Sequence, residues 1–445
     1  MKIIYKPELL LTERGFIRNS GVFVSDGIIS EINDFHLLKY KYTDAKIINW
    51  DKLVMIPGTV NAHNHSFQSI LRSIADDKPF LVWRDLALYK YSPYLSDDDI
   101  YKCALFAFTE MMKYGVTTVC DFFYLHNNGI NSDEAIIKAA KDTGIRLVLA
   151  RAMYDWNGAP KGYQETVDQA VKNTKYLAIK YQGDAMITIS PAPHSLHGAS
   201  IDMIKAGYNL AKELDTHFHI HVAEEMFEVN DILKKYRLRP IQLLNKFGIL
   251  DERMVAIHAV WLSKDELQLL EKNKVNLAYC PSSNMFLADG ITDIPELLKN
   301  NMTIGLGTDG ACSNNRISVF EEMRMTSLLQ KINKLDTTII DSKQVFKMGT
   351  EQGGKVLGLP IGKIKPGYMA DFVGIDLEDL SLQPIFSPNS SIINNIVYSM
   401  QPNAISRVVI DGKESIVNKK IINISEKKVL DNVMELVEKL NKINA

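Results

Sequence analysis

Apolar residues occur first in short runs between turns and later in longer runs separated by helical patterns. Near the start, the short runs lie at residues 2–5, 21–24 and 27–32. Such runs, bounded by turn residues, predict the strands of a small β unit. From Leu53 onward, uninterrupted apolar runs alternate with amphipathic stretches, which favours repeated strand–helix units and a parallel sheet.

Eight apolar runs follow one another between residues 53 and 308. They lie at 53–56, 117–123, 146–150, 186–190, 217–222, 254–258, 275–280 and 303–308. Amphipathic stretches separate them, for example at 97–114, 132–143 and 200–214. Eight strand–helix repeats predict an α/β fold of the closed (β/α)8 TIM-barrel type, and an open doubly wound sheet is the alternative.

The β pattern returns after residue 362. Residues 407–410 and 413–417 flank Asp411-Gly412, which predicts a β-hairpin. We therefore expect both chain ends to form one small β-sandwich domain beside the barrel. The predicted limits are 1–55 and 362–425 for this domain and 56–361 for the barrel.

The last segment, residues 426–445, is predicted to be a C-terminal helix. Its apolar residues recur at helical spacing. They are Leu430, Val433, Val437 and Leu440. We expect this stripe to pack on the protein's own surface.

Composition narrows the class of protein. The chain has 445 residues, of which 46% are hydrophobic, and a formal net charge of −2. This balance gives no support for binding to nucleic acid or to an anionic membrane. Charges interrupt the start of the chain, and no apolar run is long enough to span a bilayer. Four scattered cysteines without a C-x-x-C pair predict reduced thiols in a cytoplasmic protein.

Polar residues that bind metals or move protons fall at the ends of five predicted strands. In a barrel, the carboxyl ends of the strands line one mouth, so these side chains should meet there. They are His63, His65, His194, His221, Glu224, His258 and Asp309. One of them alone would indicate a core or capping residue. Five strand ends together predict a site, because buried polar groups are costly unless they are paired or bind a metal.

The residue types indicate a catalytic metal centre that keeps one coordination position for water. The predicted ligands are His63, His65, His221 and Asp309. His217 and His219 share a strand face with His221 and compete for its role. We favour His221 because it lies nearest the mouth and nearest Glu224, whereas the other two are expected to fill inner layers of the barrel.

Three residues are predicted to act on the reaction itself. A bound metal lowers the pKa of water to about 7. Glu224, one turn beyond His221, is placed to take the water's proton and pass it to the leaving group. His258 is expected to polarise or hydrogen-bond the attacked centre, and Asp309 to hold the activated water on the other side.

Other motifs carry less weight. Residues 305–310 match G-x-G-x-x-G, but Asp309 would face a pyrophosphate and no helix clearly opens there. The chain contains no G-x-S-x-G and no G-x-x-x-x-G-K-[ST] motif. Serine hydrolases and P-loop proteins are therefore not supported.

Together these motifs resemble the amidohydrolase superfamily, in its single-metal aminohydrolase branch. That branch includes methylthioadenosine/S-adenosylhomocysteine deaminases, guanine deaminases, triazine hydrolases and formiminoglutamate deiminases. The resemblance spans nearly the whole chain, including KPGYMAD at residues 365–371. It implies that His63, His65, His221 and Asp309 bind the metal, and that Glu224 and His258 are catalytic.

The substrate signals are divided between two groups of this branch. Residues 193–195 and 306–315 resemble the adenosine-derivative deaminases and triazine hydrolases. Residues 65–68, 83–84, 123–126, 193–196 and 224–229 resemble the formiminoglutamate deiminases. The substrate-binding residues that we predict are Gln68, Trp83, Arg84, Tyr124, Arg151, His194 and His197.

Two of these positions carry alternatives. In the formiminoglutamate deiminases an arginine binds the substrate carboxylate where this chain has His197, so the bidentate fork is lost. Arg151 and Asp155 follow the third predicted strand, where they could bind polar groups of the substrate. A surface ion pair is the alternative for these two residues.

The resemblance implies a metal-dependent hydrolase that releases ammonia from an amidine-like carbon of an adenosine-type purine or a related heterocycle. Alternatives are a formimino-amino-acid deiminase and a triazine-type hydrolase. A non-catalytic scaffold would have lost ligands or proton carriers, and all of them are present. We expect one divalent ion, first of all zinc, although Fe, Mn and Ni accept the same ligands. The expected partners are a small-molecule substrate and further copies of the chain in a homodimer or higher homo-oligomer.

Overall fold

The computed structural model describes residues 1–443. The strands there are β1 (Lys2–Thr12), β2 (Gly15–Ile17), β3 (Ser20–Ser25), β4 (Ile28–Asp34), β5 (Lys46–Pro57), β6 (Thr59–Asn64), β7 (Val116–Phe123), β8 (Arg146–Met153), β9 (Ile187–Pro193), β10 (Phe218–Val222), β11 (Met254–His258), β12 (Asn276–Tyr279), β13 (Ile304–Leu306), β14 (Phe372–Asp376), β15 (Ile405–Ile410), β16 (Lys413–Val417) and β17 (Lys420–Ile421).

The helices of the same residues are α1 (Phe35–Lys41), α2 (Phe80–Trp83), α3 (Asp97–Lys113), α4 (Ile130–Thr143), α5 (Val167–Lys180), α6 (Ile201–Leu214), α7 (Met226–Tyr236), α8 (Pro240–Lys246), α9 (Lys264–Lys272), α10 (Pro281–Phe286), α11 (Ile294–Lys299), α12 (Ala311–Asn314), α13 (Val319–Lys334), α14 (Ser342–Lys347), α15 (Gly353–Val356), α16 (Pro388–Tyr398) and α17 (Glu426–Asn441). A π-helical turn, Arg84–Tyr89, continues α2. Taken over these helices, residues 1–443 contain no segment with both the length and the apolarity to cross a membrane.

Strands β6 to β13 form the predicted barrel. They pair in parallel as two four-stranded sheets, β6-β7-β8-β9 and β10-β11-β12-β13. The sheets meet where β9 contacts β10 and where β13 contacts β6. Several of the helices between the strands begin at capping boxes, such as Ser96 with Asp99 before α3 and Ser263 with Glu266 before α9. The barrel fold is confirmed, and the open-sheet alternative is wrong.

Both chain ends build a second sheet. Its strand order is β17-β16-β15-β14-β5-β1-β3-β4, with β2 paired to β1. The predicted hairpin is present as antiparallel β15 and β16. The predicted composite β-sandwich is therefore confirmed, while its exact limits stay a prediction.

One strand of the predicted barrel belongs to this second sheet instead. Residues 53–56 lie in β5, which pairs with β1 and β14. The first barrel strand is β6, which starts after Gly58. A short apolar run predicts a buried strand but does not say which sheet buries it, so this assignment was wrong.

The barrel and the sheet built from both chain ends are joined at a tight and buried contact. A side chain at Gly58 would meet Thr117 at 2.2 Å, so the chain passes there only with glycine. Nearby, the buried guanidinium of Arg146 donates to both carboxylate oxygens of Asp371, at 3.1 and 3.0 Å. The turn of residues 365–371 thus ends in the partner of a barrel arginine.

The C-terminal helix α17 packs on the protein's own surface against α3, as predicted. Its buried residues are Val429, Leu436 and Leu440, whereas Leu430 and Val437 are 57% and 41% exposed. The helical spacing was thus predicted correctly, but Leu430 and Val437 do not belong to the buried face. Apolar residues occupy more than one face of this helix, and the spacing alone does not say which face is buried. Residues 444 and 445 of the predicted helix lie outside the described residues.

Candidate active site

The predicted ligands meet at the carboxyl end of the barrel. His63 lies in β6, His65 directly after it, and His221 in β10, while Asp309 follows β13. Nε2 of His63 lies 3.2 Å from Nε2 of His221, and Oδ1 of Asp309 lies 3.4 Å from His63 and 3.3 Å from His65. Among residues 1–443, the groups close enough to share an ion are His63 with His65 and His221, and His63 with His258 and Asp309.

Backbone carbonyl groups orient two of these rings. Nδ1 of His65 donates to the carbonyl oxygen of Phe122 at 2.6 Å, and Nδ1 of His221 donates to that of His194 at 3.0 Å. Each ring therefore carries its hydrogen on Nδ1 and turns the lone pair of Nε2 toward the centre. Two lone pairs turned toward one point, beside Nε2 of His63 and the carboxylate of Asp309, fit a metal ion.

Two of the ligand histidines, His63 and His221, are held in the neutral form that a metal requires. Burial lowers the pKa of His63 to about 4 and holds the pKa of His221 well below its usual range. Neighbouring imidazoles lower both values further, since each would repel a second positive charge. At neutral pH their lone pairs are available to a cation.

Asp309 is kept ionised although it is buried. Burial by itself disfavours its charge, but the His63 and His65 rings beside it hold the pKa of this carboxyl well below its usual range. Its Oδ2 accepts hydrogen bonds from the hydroxyls of Ser283 at 2.6 Å and Ser313 at 3.0 Å. One oxygen is therefore fixed by serines, and Oδ1 faces the histidines.

Glu224 faces the same centre from the end of β10. It is 6% exposed, and its Oε1 lies 3.3 Å from Nε2 of His258. Burial raises the pKa of Glu224 well above its usual range, and the nearby carboxyls of Asp289 and Asp309 raise it further. A carboxyl with a raised pKa can take up a proton and give it away again during a reaction.

A cavity opens above these residues. The predicted residues that line it are His65, Gln68, Trp83, Arg84, Tyr124, His194, His197, His221, Glu224, His258 and Asp309. Nε2 of Gln68 donates to the hydroxyl of Tyr124 at 2.8 Å, so these two form one polar wall. Arg84 lies toward the mouth, with its side chain 23% exposed and its guanidinium 4.6 Å from the ring of Tyr89.

Comparison with known proteins places the chain in a protein family. The model of the amidohydrolase family matches residues 54–414. The chain belongs to the amidohydrolase family. This membership confirms the predicted resemblance and the predicted hydrolase class.

Curated relatives match this amidohydrolase over nearly their whole length. A 5'-deoxyadenosine deaminase from Methanobrevibacter smithii is 34% identical, over 98% of either chain. A 5-methylthioadenosine/S-adenosylhomocysteine deaminase from Syntrophomonas wolfei is 33% identical, over 96% of this chain and 95% of its own.

Solved structures share the fold of this amidohydrolase. An adenosine deaminase from Xanthomonas campestris with bound zinc superimposes with a TM-score of 0.92 at 24% identity, over 99% of this chain and 98% of its own. The zinc complex of the atrazine chlorohydrolase from Arthrobacter aurescens has a TM-score of 0.90 at 20% identity, over 98% and 100%. At these identities the likeness concerns the fold.

Arg151 differs from its prediction as a substrate contact. Its side chain is fully buried and donates to Asp133 at 2.9 Å and to Glu165 at 2.8 and 2.9 Å. Its donors are thus used within the protein interior. Asp155 instead accepts two hydrogen bonds from Ser200 at the start of α6. Neither substrate contact nor a mutual surface ion pair describes these residues.

The two other histidines of β10 are not placed like His221. His219 is buried inside the barrel, with its ring nitrogens 3.7 and 3.9 Å from Sγ of Cys120, as expected for an inner layer. His217 lies just before β10 and is half-buried beside Gly358, at the opposite end of that strand from His221. The preference for His221 as the residue at the centre agrees with this geometry.

The sequence analysis missed polar residues of the seventh barrel strand. Ser283 and Asn284 follow β12 in the same way that the other site residues follow their strands, and both are buried. The run Ser282-Ser283-Asn284 was a readable signal at a strand end. Tyr89, Tyr154 and Tyr163 also line the cavity. Tyr89 and Tyr163 end short helical turns, and Tyr154 directly follows β8.

Proposed function

We propose that this amidohydrolase is a metal-dependent deaminase of adenosine-type substrates, which replaces the amino group on the amidine-like carbon of a purine with oxygen and releases ammonia. The observation that carries the proposal is the convergence of Glu224 and His258 on the His63, His65, His221 and Asp309 group. The full-length similarity to deaminases of adenosine derivatives supports the substrate class.

His63, His65, His221 and Asp309 would hold the metal ion. Zinc is the ion that we propose, because neutral imidazoles and one carboxylate suit it and because related folds bind it. When bound, the ion would act as a Lewis acid and lower the pKa of a water molecule to about 7.

Glu224 and His258 would manage the protons of the reaction. Glu224 takes a proton from the attacking water and later gives one to the departing amino group, which leaves as ammonia, while the second hydrogen of the water ends on the ring nitrogen beside the new carbonyl. His258, 3.3 Å away, hydrogen-bonds the carboxylate and the oxygen that becomes the carbonyl. Both side chains are buried, which keeps bulk water from competing for these protons.

The cavity walls would hold the purine and its sugar. Trp83 and His194 offer ring faces, and Gln68 and Tyr124 offer polar atoms, to a planar heterocycle. Arg84 and His197 lie where the part of the substrate remote from the reacting carbon would extend. They are the residues that we expect to discriminate between 5'-substituents.

A formimino-amino-acid deiminase is the second candidate. The observation that favours it is that Gln68, Arg84 and Tyr124, which resemble substrate contacts of that group, all line the cavity. The presence of His197 argues against formiminoglutamate as the substrate, because an imidazole cannot donate two parallel hydrogen bonds to a carboxylate as an arginine does. A triazine-type activity has the fold alone in its favour.

The predicted homo-oligomer is retained as part of this proposal. Leu81, Val82 and Leu86 of the segment beside the cavity are each more than 40% exposed, and exposed apolar residues that lie together are typical of contact surfaces. Light scattering of the purified protein tests the prediction directly.

The test is an ammonia-release screen with zinc-loaded protein. The compounds are 5'-deoxyadenosine, methylthioadenosine, S-adenosylhomocysteine, adenosine, guanine and N-formimino amino acids, and a chlorotriazine is assayed in parallel by chloride release. We expect release from one or more adenosine derivatives and none from the Glu224→Gln variant. Release confined to formimino acids would replace the main proposal by the second candidate, and turnover by Glu224→Gln would contradict the assigned site.

A further inference from the structure

The role of His258 depends on which of its ring nitrogens carries the hydrogen. His258 is among the groups that could share an ion with His63 and Asp309, and its Nε2 lies 3.3 Å from Oε1 of Glu224. With a lone pair, Nε2 would be a metal ligand; with a hydrogen, it would be a donor. A neutral imidazole has one hydrogen, so the partner of Nδ1 decides between the two.

We propose that Asn284 is a positioning residue that fixes His258 as an Nε2–H donor and thereby excludes it from the metal ligands. Nδ2 of Asn284 lies 3.1 Å from Nδ1 of His258 and 3.0 Å from Oδ2 of Asp289. The amide group has two hydrogens and donates one to each. Nδ1 of His258 therefore accepts, and the ring hydrogen is on Nε2, directed at Glu224.

Asp289 keeps the amide of Asn284 in this orientation. If the amide were turned over, its oxygen would face both partners, and both the carboxyl of Asp289 and Nδ1 of His258 would have to carry hydrogens. Asn284 is 1% exposed, so the hydrogen-bond partners of its amide come from the protein and not from water. The observed orientation satisfies both acceptors with one group.

Two of the three ligand histidines have the opposite pattern. Nδ1 of His65 and Nδ1 of His221 each face a backbone carbonyl oxygen, which leaves the lone pair on Nε2. His258 faces a donor instead. The neighbours of Nδ1 thus divide histidines that surround one centre into two ligands and one hydrogen-bond donor.

The segment that carries Asn284 also holds the backbone of His258. The hydroxyl of Thr292 donates to the carbonyl oxygen of His258 at 3.0 Å. His258 and Ala259 have φ angles of +67° and +48°, a left-handed conformation that non-glycine residues adopt only when their surroundings hold them. Residues 284–292 therefore restrain both the ring and the main chain of the proton-carrying histidine.

The test uses ¹⁵N-histidine NMR of the full-length protein, metal-free and zinc-loaded, with His258 assigned by comparison with His258→Gln. We expect an unprotonated Nδ1 and a protonated Nε2 in both states. In Asn284→Asp, the new carboxylate accepts from Nδ1, so the hydrogen should move there. A protonated Nδ1 in the unchanged protein would overturn the proposal, even if Asn284→Asp does not fold.

Kinetics and metal content provide the second measurement, which rests on the proposed function. Asn284→Asp should lower kcat about 10- to 100-fold while one zinc per chain is retained, and KM should change by no more than about twofold. Asn276→Asp is the matched control, because Asn276 also donates through its side-chain amide, here to the carbonyl oxygen of Glu252, but at the start of β12. An equal loss in this control, or unchanged kcat in Asn284→Asp, contradicts the positioning role. If no substrate is found, the NMR result still decides on the tautomer.

Discussion

Oε1 of Glu224 and Nε2 of His258 lie 3.3 Å apart, on side chains that leave the neighbouring strands β10 and β11. Because they handle the same proton, we expect Glu224→Gln and His258→Gln each to lower kcat about 10²- to 10⁴-fold. The kcat of the double variant should be little lower than that of the less active single variant, since removing either group already interrupts the proton transfer. Steady-state kinetics of the four proteins measures this coupling. Fully additive losses would show that the two side chains act independently.

His221 and His219 provide a matched pair for the metal site, because they lie two residues apart on the same strand. Nε2 of His221 faces His63, whereas His219 contacts Cys120 inside the barrel. We expect His221→Gln to lose most of its zinc and His219→Gln to keep one zinc per chain. Metal analysis after dialysis measures both. Dialysis of the unchanged protein against a chelator should abolish ammonia release, and added zinc should restore it.

Arg84 and Arg151 should respond differently to replacement, although both were predicted to bind substrate. Arg84→Gln removes a partly exposed cation from the cavity mouth, so KM should rise severalfold with little change in thermal stability. Arg151→Gln leaves Asp133 and Glu165 buried without their partner, which should lower the free energy of unfolding by about 3–5 kcal/mol. Denaturant unfolding and the KM of the folded fraction separate the two effects. A raised KM in folded Arg151→Gln would show that Arg151 does contact the substrate.

Glu322 should make stability fall as the pH rises. It is buried in α13, where its Oε2 accepts from the backbone N–H of Ser282, and burial raises the pKa of Glu322 from 4.5 to about 8. Between these values the unfolded chain has lost a proton that the folded chain keeps, so the free energy of unfolding decreases with pH.

Glu322→Gln stays neutral and keeps an acceptor oxygen for Ser282. It should therefore lose less stability than the unchanged protein between about pH 5 and about pH 8. Urea unfolding of metal-free protein at both pH values measures the difference. Glu378→Gln, at an exposed carboxylate, is the control and should leave the pH dependence unchanged. An identical pH dependence in Glu322→Gln would contradict the assignment.

The sequence was most informative where chemistry and strand position coincide. His63, His65, His221, Glu224, His258 and Asp309 were predicted because each lies at a strand end, and strand ends of a barrel share one mouth. Residues 53–56 were assigned to the wrong sheet because an apolar run has the same appearance in either sheet. The helix α17 was located correctly, but its period left open which of its apolar faces meets α3.

The pattern of apolar and polar residues could not predict which side chains are hydrogen-bond partners. Arg151 follows a strand as His221 does, but its acceptors Asp133 and Glu165 come from other segments of the chain. Asn284 gives no local signal of its bond to His258, which lies 26 residues earlier. Such contacts depend on how helices and loops pack, and periodicity carries no information on that.

The sequence by itself determined the strand–helix rhythm, the barrel, the sheet built from both chain ends and the residue types of the centre. These follow from local hydrophobic periodicity and from the shared direction of parallel strands. Only the tertiary structure decided which sheet takes β5, which arginine faces the cavity and which nitrogen of each histidine carries its hydrogen. Those outcomes depend on distances of about one hydrogen bond between residues far apart in the chain, and such distances exist only after packing.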